Sequence, residues 1–388
     1  MPLMMTSCGS MDNKTRQAIT PSADPSGVET SMPTPSPGPS SANAPDKMAT
    51  PTPVNPNLNP LTGLFVDDSA LLERRPLAIK VSNYPRSIRP QWGLSLADLV
   101  YEYYIEGGET RFVAIYYGNN SEMVGPIRWS GYFDINILLM YKAIFAFGSG
   151  DERVWDRLYT PEFKNLLVSE YPAACPPMCR YDPSNWNHLV TDTSKLSAYI
   201  TDQGVDNSRQ DLSGMVFDEQ TPPGGQQGEH LSVRYSCWSY SRWDYDAQNG
   251  KYLRSEETVE DTGLGETYTP LIDRLTEKPV GAENVVILLM QHDWVSVEPE
   301  MIDMQFAGEG AAYVFRDGMF YTLKWQRLSP DRIVSLTYAD GTAYPLKPGT
   351  TWYQVVGASA PATLNEEVWQ FAFRPAALYS CPNFSATY

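Results

Sequence analysis

Asp98, Glu102, Glu106, Arg111 and Arg128 lie close together in the chain, each near a turn that follows a short apolar run. Groups that contact ligands collect in such places. Arg111 and Arg128 could clamp a phosphate or carboxylate through bidentate hydrogen bonds, and Gly107-Gly108 between them would let backbone N–H groups approach it. A plainer role is also open to the same residues, and simpler: the arginines pair with neighbouring carboxylates and fix the loops. Glu102 and Glu106 offer two carboxylates for acid–base cleavage of a glycosidic bond, which requires a set separation across a sugar. Their spacing also suits one solvated strand face.

Other chemistries have less to build on. His188, His230 and His292 stand at no metal-ligand spacing, so neither a metal nor another cofactor is expected. His292-Asp293 could be a base with its orienting carboxylate, but no Gly-x-Ser-x-Gly elbow accompanies it. There is no phosphate-binding glycine loop with lysine and no dinucleotide fingerprint. Trp238, Tyr240, Trp243 and Tyr245 could stack on sugar rings as a glycan platform, or form one core face and a cross-strand ladder. Whether the chain is an enzyme is left open, with a noncatalytic role favoured. The formal charge, 29 basic minus 46 acidic residues or −17, removes the usual attraction to nucleic acid and repels an anionic membrane.

Four cysteines, Cys175, Cys179, Cys237 and Cys381, could form two disulfides in an exported chain, with three pairings open. A zinc site would need a second close pair beside Cys175-x3-Cys179.

The elements that must hold these residues read as α+β. Residues 76–81 and 99–105 form strands, Gly107-Gly108 turns the chain, and 111–117 returns as the second arm of a hairpin. A helix over 132–142, a strand over 143–147 and a helix over 151–158 follow. Residues 59–204 thus make a mixed α/β N-terminal domain. A connecting region, 205–281, carries an aromatic hairpin turning at Asn249-Gly250. Residues 282–357 make a smaller, mainly antiparallel β domain, with the strand Asn284–Met290 and hairpin turns at Asp317-Gly318 and Asp340-Gly341, before a tail over 358–388.

The chain opens on a different composition. Leu3-Met4-Met5-Thr6-Ser7-Cys8-Gly9-Ser10 places small residues around a thiol, the uncrowded setting that lipid attachment requires, and residues 1–8 read as the remnant of a lipoprotein signal peptide. No basic n-region precedes Cys8. Residues 9–58 are rich in Pro, Ser and Thr and read as a disordered linker, whose roughly 40 low-complexity residues would span between about 35 Å as a coil and about 120 Å as polyproline. No later window approaches the roughly 18–20 apolar residues of a membrane span. Membrane attachment is therefore expected at Cys8, placing the body outside the cytoplasm on the bacterial cell membrane, with an envelope protein, a glycan or an anionic ligand as partner.

A resemblance runs through the body. Asn59-Pro60-Leu61-Thr62-Gly63, the run from Arg89-Pro90-Gln91-Trp92-Gly93 to Val100-Tyr101-Glu102, Glu106-Gly107-Gly108-Glu109-Thr110-Arg111-Phe112 and Val124-Gly125-Pro126-Ile127-Arg128 resemble the YerB-like lipoproteins. So do Ala312-Tyr313-Val314-Phe315-Arg316-Asp317-Gly318 and Pro348-Gly349-Thr350-Thr351-Trp352. The resemblance implies an exported, lipid-anchored protein in two parts and brings no known reaction. Two departures stand out. Trp129-Ser130-Gly131 follows Arg128 where the family usually has Ser-Ala-Arg, and Ala146-Phe147-Gly148-Ser149-Gly150 replaces a histidine-containing motif.

Overall fold

Strand Leu99–Tyr104 is apolar or aromatic except at Glu102 and buried at every position, the pattern of a strand covered on both faces. It pairs antiparallel with Thr110–Tyr116, as the hairpin reading requires, and parallel with Thr351–Gly357. The turn between the hairpin arms depends on glycine. Gly107 and Gly108 have φ of 66° and 79°, and a Cβ on Gly108 would lie 2.7 Å from the Trp238 ring.

In the computed structural model, which describes residues 55–373 except 186 and 361, this hairpin is the middle of a long mixed sheet. Its order is Ser335–Thr337, Met319–Arg327, Gly308–Arg316, Asn284–Met290, Thr351–Gly357, Leu99–Tyr104, Thr110–Tyr116, Leu77–Ser82, Ile144–Phe147 and Leu167–Ser169, with Gln226–Gln227 paired beside Met319–Arg327. One sheet thus draws on both ends of the folded chain. Strands dominate and helices are few, so α+β holds in outline.

The strands over 282–357 are mainly antiparallel to one another, but the expectation that they make a small sheet of their own is corrected here. Thr351–Gly357 runs parallel to both its neighbours, and these strands form half of the long sheet. Asn284–Met290 is buried along its whole length, which a sheet with one wet face would not allow. Asp317-Gly318 turns a hairpin as expected, but after Asp340-Gly341 only Ala343 bridges back, to Thr337. Pro345 and Pro348 have no N–H to extend that ladder.

A second sheet, ordered Tyr268–Pro270, Lys251–Glu257, Tyr240–Asp246, His230–Arg234, Val368–Ala372 and Ala362–Asn365, packs on one face of the long one. Trp243 meets Trp352 edge-on at 5.1 Å in that interface. The opposite face takes helix Asp134–Tyr141, where the Tyr141 and Tyr101 hydroxyls are 2.7 Å apart.

Candidate functional site

Side chains alternate across a strand, so Leu99–Tyr104 serves two different interiors. Val100, Glu102 and Tyr104 face the second sheet; Leu99, Tyr101 and Tyr103 face the helix. Glu102 therefore meets Arg254, with Oε2 to Nη1 at 2.9 Å and Oε1 to Nη2 at 3.1 Å, and accepts from the Thr110 hydroxyl at 3.0 Å. Arg254 lies over the Trp352 ring at 4.9 Å. Glu102 is thus enclosed and does not share a site with Glu106.

Asp98 is also enclosed. Its carboxylate accepts from Asn59 Nδ2 at 2.9 Å, Gly118 N–H at 3.0 Å and Tyr117 N–H, pinning the start of the strand to the 117–118 corner. Burial pushes Asp98 up to about 6 against the pull of those donors.

The other candidates converge. Arg111 Nη2 donates to Glu106 Oε1 at 2.9 Å, and its Nη1 donates to the Trp129 carbonyl at 2.9 Å. Arg128 sits half-buried close by and, among the described residues, has no ion-pair partner; burial and then the Arg111 charge lower its pKa. Glu109 beside them rises to about 7 through burial, with Glu106 adding and the arginines opposing. Gly107 and Gly108 do offer backbone donors, but to the protein itself. Gly107 N–H donates to Glu300 Oε2 at 2.8 Å, and Gly108 N–H to the Tyr104 hydroxyl at 3.1 Å.

Glu300 comes from an excursion that the sequence reading did not pick out. After strand Asn284–Met290 a ribbon of His292–Val297 and Glu300–Met304 folds over the end of Leu99–Tyr104. Besides Gly107, Tyr104 Oη and Trp294 Nε1 donate to its Glu300 carboxylate, at 3.2 and 2.9 Å. On the other side Asp303 pairs with Arg157 of helix Glu152–Leu158 at 2.7 Å, and Arg157 lies over the Tyr132 ring at 4.2 Å.

Between ribbon, helix and hairpin turn lies a pocket of about 160 Å³ whose wall includes Glu106, Arg111, Trp129, Gly131, Asp151 and Glu300. It stands beyond the carboxyl ends of two parallel strands, Leu99–Tyr104 and Asn284–Met290, a recurrent place for ligands in such sheets. Under it, Tyr103 joins a buried set: Lys80 Nζ is 3.0 Å from Asp134 Oδ1, and the Tyr103 hydroxyl bonds both. Burial pulls Lys80 down to about 8, opposed by Asp134. Lys80 is a charge inside the apolar run Leu77–Ser82, and that was the legible signal for this set.

Three carboxylates against one arginine leave the wall acidic. Glu106 is matched to Arg111, and Asp151 to Arg153 at 2.8 Å, whereas Glu300 is held by neutral donors. Arg111 and Arg128 therefore do not make an open, unopposed anion clamp.

The remaining candidates are absorbed by packing. Trp243 and Tyr240 are buried, so the aromatic hairpin presents no platform of four rings. His292 is buried, with Nδ1 2.9 Å from the Met290 carbonyl, and burial lowers it to about 4. Cys175 and Cys179 are joined in a disulfide and Cys237 is buried, while Cys381 and Cys8 lie outside the described residues. Among the described residues no cluster of His, Cys, Asp and Glu could hold a metal, and no helix is long and apolar enough to cross a membrane.

Residues 61–206 match the N-terminal domain, and residues 231–353 the C-terminal domain, of a family described as "Protein of unknown function (DUF3048)". The chain belongs to this two-part, YerB-like family. It is 27% identical over 301 residues to the Bacillus subtilis (strain 168) protein named "Putative lipoprotein YerB", covering 76% of this chain and 85% of that one. The crystal structure of YerB from Bacillus subtilis superposes with a TM-score of 0.66 at 26% identity, over 77% of this chain and 96% of the other. The fold is thus that of the relative, and neither family description names a reaction.

Proposed function

We propose that this protein is a noncatalytic binding module of the cell envelope, tethered by lipid at Cys8 and receiving its ligand at the pocket around Glu106, Arg111 and Trp129. The observation that carries this reading is the joining of exposed Trp129, through its carbonyl, to the Glu106–Arg111 pair at the rim of a cavity walled by the Glu300 ribbon and helix Glu152–Leu158. Concave sites with an apolar lining and a few placed polar groups are the usual form of a ligand pocket. The lipoprotein name of the relative supports the tether, and the Pro/Ser/Thr-rich linker supplies its reach.

Gly131 allows a direct test. It lines the pocket, has no positive φ, and a Cβ there would meet nothing within 4 Å, so Gly131→Phe should fill the pocket without straining the fold. Full-length protein carrying Cys8→Ala, which removes the lipid tether, is measured with and without Gly131→Phe for co-sedimentation with isolated cell envelopes. Loss of binding in the variant, with its melting unchanged, is expected; equal binding would refute the site.

A second reading, an envelope enzyme acting on a phosphorylated or glycan substrate, is favoured by Arg128, half-buried and without an ion pair among the described residues. It requires Arg128→Ala to abolish a turnover that Gly131→Phe also abolishes.

A further inference from the structure

We infer that the pocket at Glu106, Arg111 and Trp129 takes an uncharged saccharide, an acetamido-hexose ring with a second ring stacked outside. This rests on the binding-module reading above. Charge selects first. A free anion would face Glu106, Asp151 and Glu300, and the one arginine in the wall is already committed to Glu106. A cation finds little open charge, because Asp151 is bonded through both oxygens to Arg153 and Glu300 accepts from Gly107, Tyr104 and Trp294. What the wall does present is the Glu106 carboxylate, half exposed and with its charge matched at Oε1 by Arg111, whose other Nη donates to the Trp129 carbonyl. Sugar hydroxyls donate to such a carboxylate without bringing charge of their own.

Shape and apolar surface select next. Trp129 is 52% exposed at the rim, and a flat aromatic face suits the C–H face of a pyranose. Deeper in, Phe133, Met301 and Met304 line the same cavity and give an apolar bed for an acetamido methyl group. The volume of about 160 Å³ is below the roughly 300–1,000 Å³ of drug-sized sites, which limits occupancy to one ring. The aromatic surface continues outside. Gly150 pairs with Ser130, next to Trp129, and a Cβ on Gly150 would be 2.9 Å from the Trp155 indole nitrogen. Trp155 and Tyr159 are both exposed, with ring centroids 6.2 Å apart, so a linked second sugar has aromatic surface at hand.

The test titrates the full-length protein, by saturation-transfer NMR, with N-acetylglucosamine, its β1,4-linked disaccharide, glucuronic acid and N-acetyl-lysine amide. Expected is a Kd on the order of 1 mM for the single ring, severalfold tighter for the disaccharide and at least about tenfold weaker for the two charged probes. Trp129→Ala should weaken the disaccharide about tenfold, Trp155→Ala about threefold, and Gly131→Phe should abolish binding at unchanged melting temperature. Glucuronic acid or the lysine amide binding as tightly as the acetamido sugar would overturn the assignment. So would sugar binding that is indifferent to both Trp129→Ala and Gly131→Phe. If none of the sugars binds while Gly131→Phe still loses envelope binding, the saccharide assignment falls and the binding-module reading stands.

Discussion

Glu102 and Arg254 form an ion pair enclosed between the two sheets, with Oε2 2.9 Å from Nη1 and both residues almost fully buried. The pair joins the central hairpin of the long sheet to strand Lys251–Glu257 of the second, amid Phe112, Trp243 and Trp352. It decides the fate of one sequence expectation, since a carboxylate committed here cannot serve a surface site. Removing one partner strands the other in an apolar surrounding. Arg254→Met or Glu102→Leu alone should cost about 3–5 kcal/mol, and the double replacement should recover most of that. Urea denaturation of the three variants checks this; additive losses in the double variant would contradict it.

Acid should stabilise this protein over part of the range where neutral pH usually does. Burial lifts Glu256 to about 7 from 4.5, so between those values the folded chain holds a proton that the unfolded chain has released. Its contribution favours folding on the acid side and fades as pH rises through 7. Asp98, raised to about 6, and Glu109, raised to about 7, act with the same sign. His292, lowered to about 4, opposes them: it stays neutral in the fold while the unfolded chain protonates below 6.5, so its contribution grows from pH 4 to 6.5. Three groups against one predict a higher melting temperature at pH 5.5 than at pH 8. Glu256→Gln, fixed in the neutral form, should be more stable than the parent at pH 8 by on the order of 1 kcal/mol, with the gap closing near pH 5. Calorimetry at the two pH values would expose an inverted slope.

The Glu300 carboxylate holds the ribbon by accepting from Gly107 N–H, the Tyr104 hydroxyl and Trp294 Nε1. In Glu300→Ala, amides of residues 104–108 and 292–304 should exchange about tenfold faster or more, while the global denaturation midpoint moves little. Hydrogen-exchange mass spectrometry resolves these segments, and unchanged protection would mean that apolar packing alone retains the ribbon.

The hairpin around Gly107-Gly108 was legible because two apolar runs flank a glycine pair, which is local information. The parallel partner of Leu99–Tyr104 was not, because Thr351–Gly357 lies far along the chain and register between distant strands leaves no local mark. For the site, the proximity of Glu106 and Arg111 followed from the hairpin. Glu300 did not, since nothing local in residues 292–304 marks them as a ribbon that ends on Gly107. The fate of Glu102 turns on strand alternation across two sheets, and in the sequence the second sheet shows only as an isolated aromatic hairpin.

Cys175 and Cys179 are bonded, and with Cys8 taken as the proposed lipid site the second bridge falls to Cys237 with Cys381. Peptide mapping without reduction should yield one fragment joining the segments around those two residues, collapsing on reduction. Free-thiol labelling of both would exclude the bridge.

Growth on a labelled fatty acid should label the protein, and Cys8→Ala should remove the label and release the body from the membrane fraction. Persistent labelling of the variant would place the lipid elsewhere or abolish the tether proposal.

The insertion of Thr351–Gly357 between Leu99–Tyr104 and Asn284–Met290 has a consequence for how the chain must be made. Synthesis delivers Leu99 long before Thr351, so one edge of an apolar strand stays without its neighbour while most of the body is still being assembled. The central sheet closes only when nearly the whole polypeptide is present. A protein of this design is suited to a route in which the chain is handed on unfolded and completes its architecture in one late step, and its greatest exposure to aggregation falls in the interval before residue 351 arrives.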